Sequence, residues 1–201
     1  MTRLASAPAI GYLILTSQPH LALSVFAYAA VTDVLDGYIA RRYGSRTVLG
    51  TVLDPMADKT LMTVCVASLA WTGTLPLWLA AVILGRDVAL SLAAFWIRYR
   101  SLPGPKTWRR YWDFSLPSAE VRPTEVSKWN TFLQLCVVAA GMVVPVLPAD
   151  LLAAHHLSQA FHALQYTVGV TTVWSGASYL YTPDAVRYVG QGEVKSDQAQ
   201  K

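Results

Sequence analysis

The sequence predicts an all-α, polytopic membrane protein with six transmembrane helices, and three observations support this prediction. Of the 201 residues, 54% are hydrophobic and only 14% are charged, whereas a soluble domain usually carries about 25% charged residues. The apolar residues form long runs without charged side chains. Apart from Lys59 and Arg86, the lysines and arginines lie in segments that this topology places at one side of the membrane.

The uncharged runs cover residues 4–32, 60–85, 129–149 and 151–183. Since a spanning helix needs about 20 apolar residues, the first two runs have room for a turn. Polar and proline residues at 17–20 and 71–76 supply those turns. The predicted spans cover residues 4–16, 21–40, 48–70, 76–97, 129–148 and 157–181.

The first span differs from the others in length. Only about twelve apolar residues precede the turn, too few to cross a bilayer alone, and no signal peptide comes before them. This indicates a chain that begins inside its first helix. We predict a single integral-membrane domain over residues 1–185 and a polar C-terminal tail over residues 186–201.

The positive charges orient these spans. The chain has 16 lysines and arginines and a net charge of +4, yet the loops at 17–20, 71–75 and 149–156 contain neither residue. The positive-inside rule therefore places both termini on the same, positive side of the membrane. We interpret the net charge as orientation and contact with anionic lipid, not as a signal of nucleic-acid binding.

Four aspartates lie near the positive-side ends of the second and third spans. Asp33 and Asp36 are three residues apart, and Asp54 and Asp58 are four residues apart, so each pair shares one face of its helix. Carboxylates at membrane depth are costly and usually mark a functional site. If the two helices face each other, these side chains form a cage for a divalent cation.

The surrounding residues indicate what such a cage binds. Aspartates without neighbouring cysteine or histidine favour Mg²⁺, Mn²⁺ or Ca²⁺, and four carboxylates can hold two ions. The small residues Gly37, Ala40 and Gly50 leave room for a bulky group, and the Arg41 guanidinium suits phosphate oxygens. We therefore predict a diphosphate site, with Asp58 as the candidate base that deprotonates an attacking alcohol.

The pattern D-x2-D-G-x2-A-R-x8-G-x3-D-x3-D, from Asp33 to Asp58, resembles the signature of the CDP-alcohol phosphotransferase family at all eight fixed positions. The resemblance implies a six-helix membrane enzyme, usually a homodimer, that uses Mg²⁺ or Mn²⁺ and releases CMP from a CDP-lipid. It further implies that Asp33, Asp36 and Asp54 are metal ligands and that Asp58 is both a ligand and the base. By the same resemblance, the CDP-lipid site is lined by Gly37, Ala40 and Arg41.

Later segments resemble the eukaryotic-type, CMP-forming cardiolipin synthases of this family. They are residues 53–59, 85–88, 98–103 and 127–131. This resemblance implies CDP-diacylglycerol and phosphatidylglycerol as substrates and cardiolipin as product. The bacterial-type phosphatidylglycerophosphate synthases are close relatives, so glycerol-3-phosphate is the alternative acceptor.

An acceptor that carries a phosphate requires a cation near the metals, and the candidates are Arg86, Arg98 and Lys128. Two structural interpretations stand beside this function. Arg86 and Asp87 can form an ion pair that joins helices, and Lys128 can extend its ammonium to the membrane interface.

The family type indicates the mitochondrial inner membrane with the site facing the matrix, or the bacterial inner membrane in a prokaryote. Two other functions remain open. Membrane carboxylates also line cation transporters, although transport does not explain Gly37, Ala40 and Arg41. An inactive scaffold for anionic lipids is disfavoured because every motif position is present.

Overall fold

The computed structural model describes residues 2–43, 48–101, 119–121, 125–148, 155–181 and 186–188. Within these ranges, side-chain surroundings are described for residues 3–39, 42, 56–100, 125–148 and 156–178. The described chain contains six α-helices, as the hydropathy pattern predicts: α1 Thr2–Leu15, α2 Pro19–Tyr43, α3 Val48–Trp71, α4 Leu77–Ser101, α5 Glu125–Val143 and α6 His155–Tyr181. A 3₁₀ turn, Val144–Val146, follows α5.

Within the described ranges, three helical segments are long and apolar enough to cross a membrane: Pro19–Ile39, Leu77–Arg100 and Glu125–Val146. A shorter apolar helix covers Arg3–Leu15. Polar residues lower the mean hydropathy of the other two helices, with Asp54, Asp58 and Lys59 on α3 and a series of hydroxyl and amide residues on α6. The chain is therefore an all-α, multi-pass membrane protein.

Several helices extend beyond the predicted spans because hydropathy reports membrane depth, whereas backbone hydrogen bonding continues into the polar region. α2 continues to Tyr43 past the first arginines, and α4 continues to Ser101 with Arg98 and Arg100 in its last turn. Cations at a helix C-terminus are favoured by the helix dipole. α5 begins at Glu125, whose negative charge suits a first turn for the same reason.

A short antiparallel ribbon was not predicted. Strand β1, Ala119–Val121, pairs with β2, Val186–Tyr188, in a register that sets Glu120 opposite Arg187. Three residues are too few for an alternating pattern to be recognised in the sequence. The first three residues of the predicted polar tail are therefore in a strand, and residues 189–201 lie outside the described part.

Contacts divide the chain into two compact units. The first comprises residues 1–84 and 132–169, and the second comprises residues 85–131 and 170–201. In the first unit, α1 packs against both α2 and α3, around an apolar core that includes Ile10, Leu69 and Val137. The second unit buries hydroxyl and amide side chains. The single domain over residues 1–185 stays a prediction.

The close approach of α1 and α3 requires a glycine at position 11. A Cβ atom there would lie 2.5 Å from Cγ1 of Val64 and 3.3 Å from Oγ of Ser68. Val64 is β-branched and cannot readily rotate away. Because α1 carries Arg3 and α3 carries Asp58, this contact also fixes the relative position of the two residues.

We expect Gly11→Ala to lower the free energy of unfolding by about 1–3 kcal/mol, the usual cost of overpacking. Gly85→Ala is the matched control, because a Cβ at Gly85 meets no atom of the described residues within 4 Å. Alanine is a better helix former than glycine by about 1 kcal/mol, so the control should be neutral or stabilising. Thermal unfolding of both variants in detergent checks this, and equal melting temperatures would contradict the close-packing argument.

Candidate functional site

The first group of candidate residues lies in the first unit, on α2. Asp33 is half-buried and Asp36 is exposed, and their three-residue spacing puts both on one face of the helix. Gly37, half-buried, follows directly. The side-chain surroundings of Ala40 and Arg41, at the end of this motif segment, lie outside the described residues.

The facing part of the motif lies on α3. Asp58 has an exposed side chain, with 51% of its surface accessible. Gly50 and Asp54 belong to the same helix, but their side-chain surroundings lie outside the described residues. Three of the four predicted metal ligands are therefore described.

Arg3 brings two of these carboxylates together. Its Nη2 donates to Oδ1 of Asp33, and its Nη1 forms an ion pair with Oδ1 of Asp58. The Arg3 side chain is only 17% exposed. Carboxylates from α2 and α3 thus converge on a single cationic group from the first turns of α1.

Sequence reasoning did not predict these contacts. Arg3 lies 30 residues from Asp33 in the chain, so no local pattern links them. The available signal was composition: Arg3 is the one charged residue of a helix that is otherwise apolar. A lone cation at the end of such a helix indicates a nearby carboxylate partner.

The donor set suits a divalent cation. Carboxylate oxygens from two helices already surround one positive group, and such hard oxygen donors are those that Mg²⁺ and Mn²⁺ prefer. Among the described residues, no group of three or more His, Cys, Asp or Glu side chains is close enough together to hold a metal ion. The structure shows the convergence of Asp33 and Asp58, and the four-carboxylate cage stays a prediction.

We expect Arg3→Gln to destabilise the protein when divalent cations are absent, because Asp33 and Asp58 would lose their common counter-charge. Added Mg²⁺ or Mn²⁺ should restore the melting temperature, since a bound cation supplies that charge. The measurement is thermal unfolding in EDTA and in Mg²⁺.

Arg42→Gln is the control for this variant, because Arg42 is exposed and its Nη1 donates to the Tyr38 hydroxyl at 3.1 Å. Its melting temperature should be close to wild type in both buffers. If Arg3→Gln behaves like Arg42→Gln in EDTA, the Arg3 contacts do not stabilise the carboxylates.

The second group of candidate residues lies in the second unit, around Arg86 of α4. Nη1 of Arg86 lies 2.8 Å from Oδ1 of Asp87. Nη2 donates to Oγ of Ser127 on α5 at 2.5 Å and to Oγ of Ser175 on α6 at 3.0 Å. The Arg86 side chain is only 11% exposed. Arg86 therefore joins three helices, and both the ion-pair and the phosphate-binding interpretations remain compatible with this geometry.

A second group of buried polar contacts lies next to the hydrogen bonds of Arg86. Oδ1 of Asn130 on α5 accepts hydrogen bonds from the hydroxyls of Thr171 and Thr172 on α6, at 2.9 and 3.0 Å. Asn130 is only 1% exposed. It was not among the predicted site residues, although it is polar in an apolar span, which is a recognisable signal.

The other two acceptor candidates are placed differently. Nζ of Lys128 lies 2.7 Å from Oε1 of Glu125 at the exposed start of α5. Such surface pairs contribute about 0–1 kcal/mol, so Lys128 can exchange its partner at little cost. Arg98 is half-buried in the last turn of α4.

Comparison with known proteins gives matches over most of the chain. The sequence profile of the family described as CDP-alcohol phosphatidyltransferase matches residues 1–174. A Schizosaccharomyces pombe protein named cardiolipin synthase (CMP-forming) / mitochondrial hydrolase fusion protein is 46% identical over 194 residues, which cover 96% of this chain and 32% of that protein.

Two further relatives bear on the acceptor. A human cardiolipin synthase (CMP-forming) is 45% identical over 147 residues, 73% of this chain and 49% of the relative. A rice chloroplastic CDP-diacylglycerol–glycerol-3-phosphate 3-phosphatidyltransferase is 32% identical over 181 residues, 88% of this chain and 53% of the relative. The chain spans about half the length of these two relatives and a third of the S. pombe protein. No solved structure matches the chain.

Proposed function

Since the chain belongs to the CDP-alcohol phosphatidyltransferase family, we propose that it transfers the phosphatidyl group of CDP-diacylglycerol to phosphatidylglycerol, forming cardiolipin and releasing CMP. The structural observation that carries the proposal is the convergence of Asp33 and Asp58 on one cation. The choice of acceptor is supported by relatives named as cardiolipin synthases, which are 45–46% identical to the chain.

The proposed metal ligands are Asp33, Asp36, Asp54 and Asp58. A bound Mg²⁺ or Mn²⁺ ion, or a pair of them, would neutralise the diphosphate and stabilise charge on the leaving CMP. The carboxylates of α2 and α3 serve this role by presenting oxygen donors from two helices. Arg3 holds Asp33 and Asp58 toward each other and offsets their repulsion.

Asp58 is the proposed base. The acceptor hydroxyl loses its proton to the Asp58 carboxylate as its oxygen attacks the phosphorus that bears diacylglycerol. A new phosphate-ester bond forms, the bond between this phosphorus and the oxygen bridging to CMP breaks, and CMP departs with the bonding electrons. The exposed Asp58 side chain is accessible for this proton transfer.

The remaining residues are proposed to bind the two lipids. Gly37, Ala40 and Gly50 leave room for the CDP group, and Arg41 contacts its phosphates. We assign binding of the acceptor phosphate to Arg86, Arg98 and Lys128. Arg86 has the strongest support, because two serine hydroxyls and Asp87 fix its guanidinium.

We also propose the setting of this reaction. The excess of lysine and arginine on one side of the membrane and the eukaryotic-type sequence features support a mitochondrial inner membrane enzyme whose site faces the matrix. The family resemblance supports a homodimer.

The second candidate function is a phosphatidylglycerophosphate synthase, favoured by the rice relative that is named for glycerol-3-phosphate. A CMP-release assay separates the two. Purified protein in vesicles that contain CDP-diacylglycerol, with Mg²⁺ in the buffer, should release CMP when phosphatidylglycerol is added. EDTA should stop the release. Release with glycerol-3-phosphate alone would move the assignment, and no release with any alcohol would reject the reaction class.

A further inference from the structure

Asn130 carries a buried hydrogen-bond donor for which the described part of the chain supplies no acceptor. Its Oδ1 accepts hydrogen bonds from the hydroxyls of Thr171 and Thr172. Nδ2 is inaccessible, and no hydrogen-bond partner for it lies among the residues that the structure describes. A buried amide donor without a partner is strongly disfavoured.

Arg86 carries a second donor of the same kind. Nη1 and Nη2 have partners, but Nε is buried and has none among the described residues. Both unsatisfied atoms belong to the second unit, and both are N–H donors. A ligand that satisfies them must therefore present acceptor oxygens.

Helix geometry relates the two donors. Ser127, which bonds Arg86, and Asn130 are three residues apart on α5, and Thr172 and Ser175 have the same spacing on α6. Three residues rise about 4.5 Å along a helix and stay on the same face. The hydrogen bonds of Arg86 and those of Asn130 are thus one helical turn apart. The oxygens of one phosphodiester group can bridge this spacing.

We propose that Asn130 and Arg86 together bind the phosphate oxygens of the acceptor lipid, with Thr171 and Thr172 positioning the Asn130 amide. The proposal rests on the proposed function and adds Asn130 as a binding residue for the acceptor. The Arg86 charge favours an anionic phosphodiester over a neutral lipid, and the neutral Asn130 amide adds direction without further charge.

The test is a comparison of KM values for the two lipids in Asn130→Leu. A hydrogen bond to a charged group contributes enough that its loss should raise KM for phosphatidylglycerol about 10- to 100-fold. KM for CDP-diacylglycerol should stay within about twofold of wild type, because Asn130 does not take part in that site.

Gln165→Leu is the matched control. Gln165 is a buried amide on α6, 3% exposed, whose Nε2 donates to the Thr74 carbonyl at 3.3 Å. The Gln165→Leu substitution should lower stability, but it should not raise KM for phosphatidylglycerol relative to KM for CDP-diacylglycerol. If Asn130→Leu does not fold, Asn130→Asp replaces it, since that side chain keeps an acceptor for both threonines and removes the amide donors.

Binding can be followed without turnover. In EDTA and without CDP-lipid, vesicles containing phosphatidylglycerol should raise the melting temperature of the wild type and of Gln165→Leu, but not that of the Asn130 variant. The same thermal shift in all three proteins would overturn the proposal. The proposal would also be overturned if the Asn130 variant changed the KM values of both lipids equally, or changed neither. That result is expected if Nδ2 binds only a buried water molecule. Failure of the wild type to form cardiolipin would instead reject the proposed function.

Discussion

Asp58→Asn is expected to reduce the rate of CMP release by roughly 10²–10⁴-fold, the usual contribution of a general base. Asparagine has nearly the same shape as aspartate but cannot take the proton of the acceptor hydroxyl. The Asp58 side chain is 51% exposed and Arg3 retains Asp33 as a partner, so the fold should persist. The measurements are CMP release and binding of labelled CDP-diacylglycerol, which should remain detectable.

Glu125→Gln is the control for this substitution. Glu125 is an exposed carboxylate at the start of α5, paired with Lys128, and its replacement should leave turnover within about twofold because surface ion pairs contribute little. Unchanged turnover in Asp58→Asn would remove Asp58 from the role of base. Loss of both turnover and CDP-lipid binding would assign it to metal binding alone.

Arg86→Met is expected to have the largest effect on stability. The change removes hydrogen bonds to two helices and leaves Asp87 without its cation. Removing one partner of a buried ion pair costs about 3–5 kcal/mol, and the partial exposure of Asp87 places the expected loss near the lower value. Thermal unfolding in detergent measures this loss.

Two further variants show the cause of that loss. Arg100→Met, at an exposed position in the last turn of the same helix, should unfold close to the wild-type temperature. The double variant Arg86→Met with Asp87→Leu should recover part of the stability, because the orphaned carboxylate is gone. A wild-type melting temperature for Arg86→Met would mean that the network does not stabilise the second unit.

The helices were predictable from sequence because membrane-spanning segments have a recognisably apolar composition. Long apolar runs that are interrupted at residues 17–20 and 71–76 predict the positions of α1 to α4. This prediction requires no knowledge of how the helices pack. Helix ends were less predictable. The hydropathy of Arg98 and Arg100 marks the membrane boundary, but the backbone of α4 remains helical through both.

The candidate site divides in the same way. The three- and four-residue spacings of the aspartates are local, so the sequence predicts which carboxylates share a helix face. The partners of Arg3 and Arg86 are not local: Ser175 lies 89 residues from Arg86. Contacts of this kind depend on how helices pack, which single-sequence periodicity does not report. The orphaned donor of Asn130 also appears only when its neighbours are known.

The proposed reaction is the formation of cardiolipin from two lipids by a CMP-releasing transfer. It is tested most directly by offering purified protein CDP-diacylglycerol, Mg²⁺ and equal amounts of phosphatidylglycerol and glycerol-3-phosphate, with distinct labels on the two acceptors. We expect cardiolipin and CMP in equal molar amounts, with little label from glycerol-3-phosphate in lipid. Phosphatidylglycerophosphate as the main product, or cardiolipin without CMP, would contradict it.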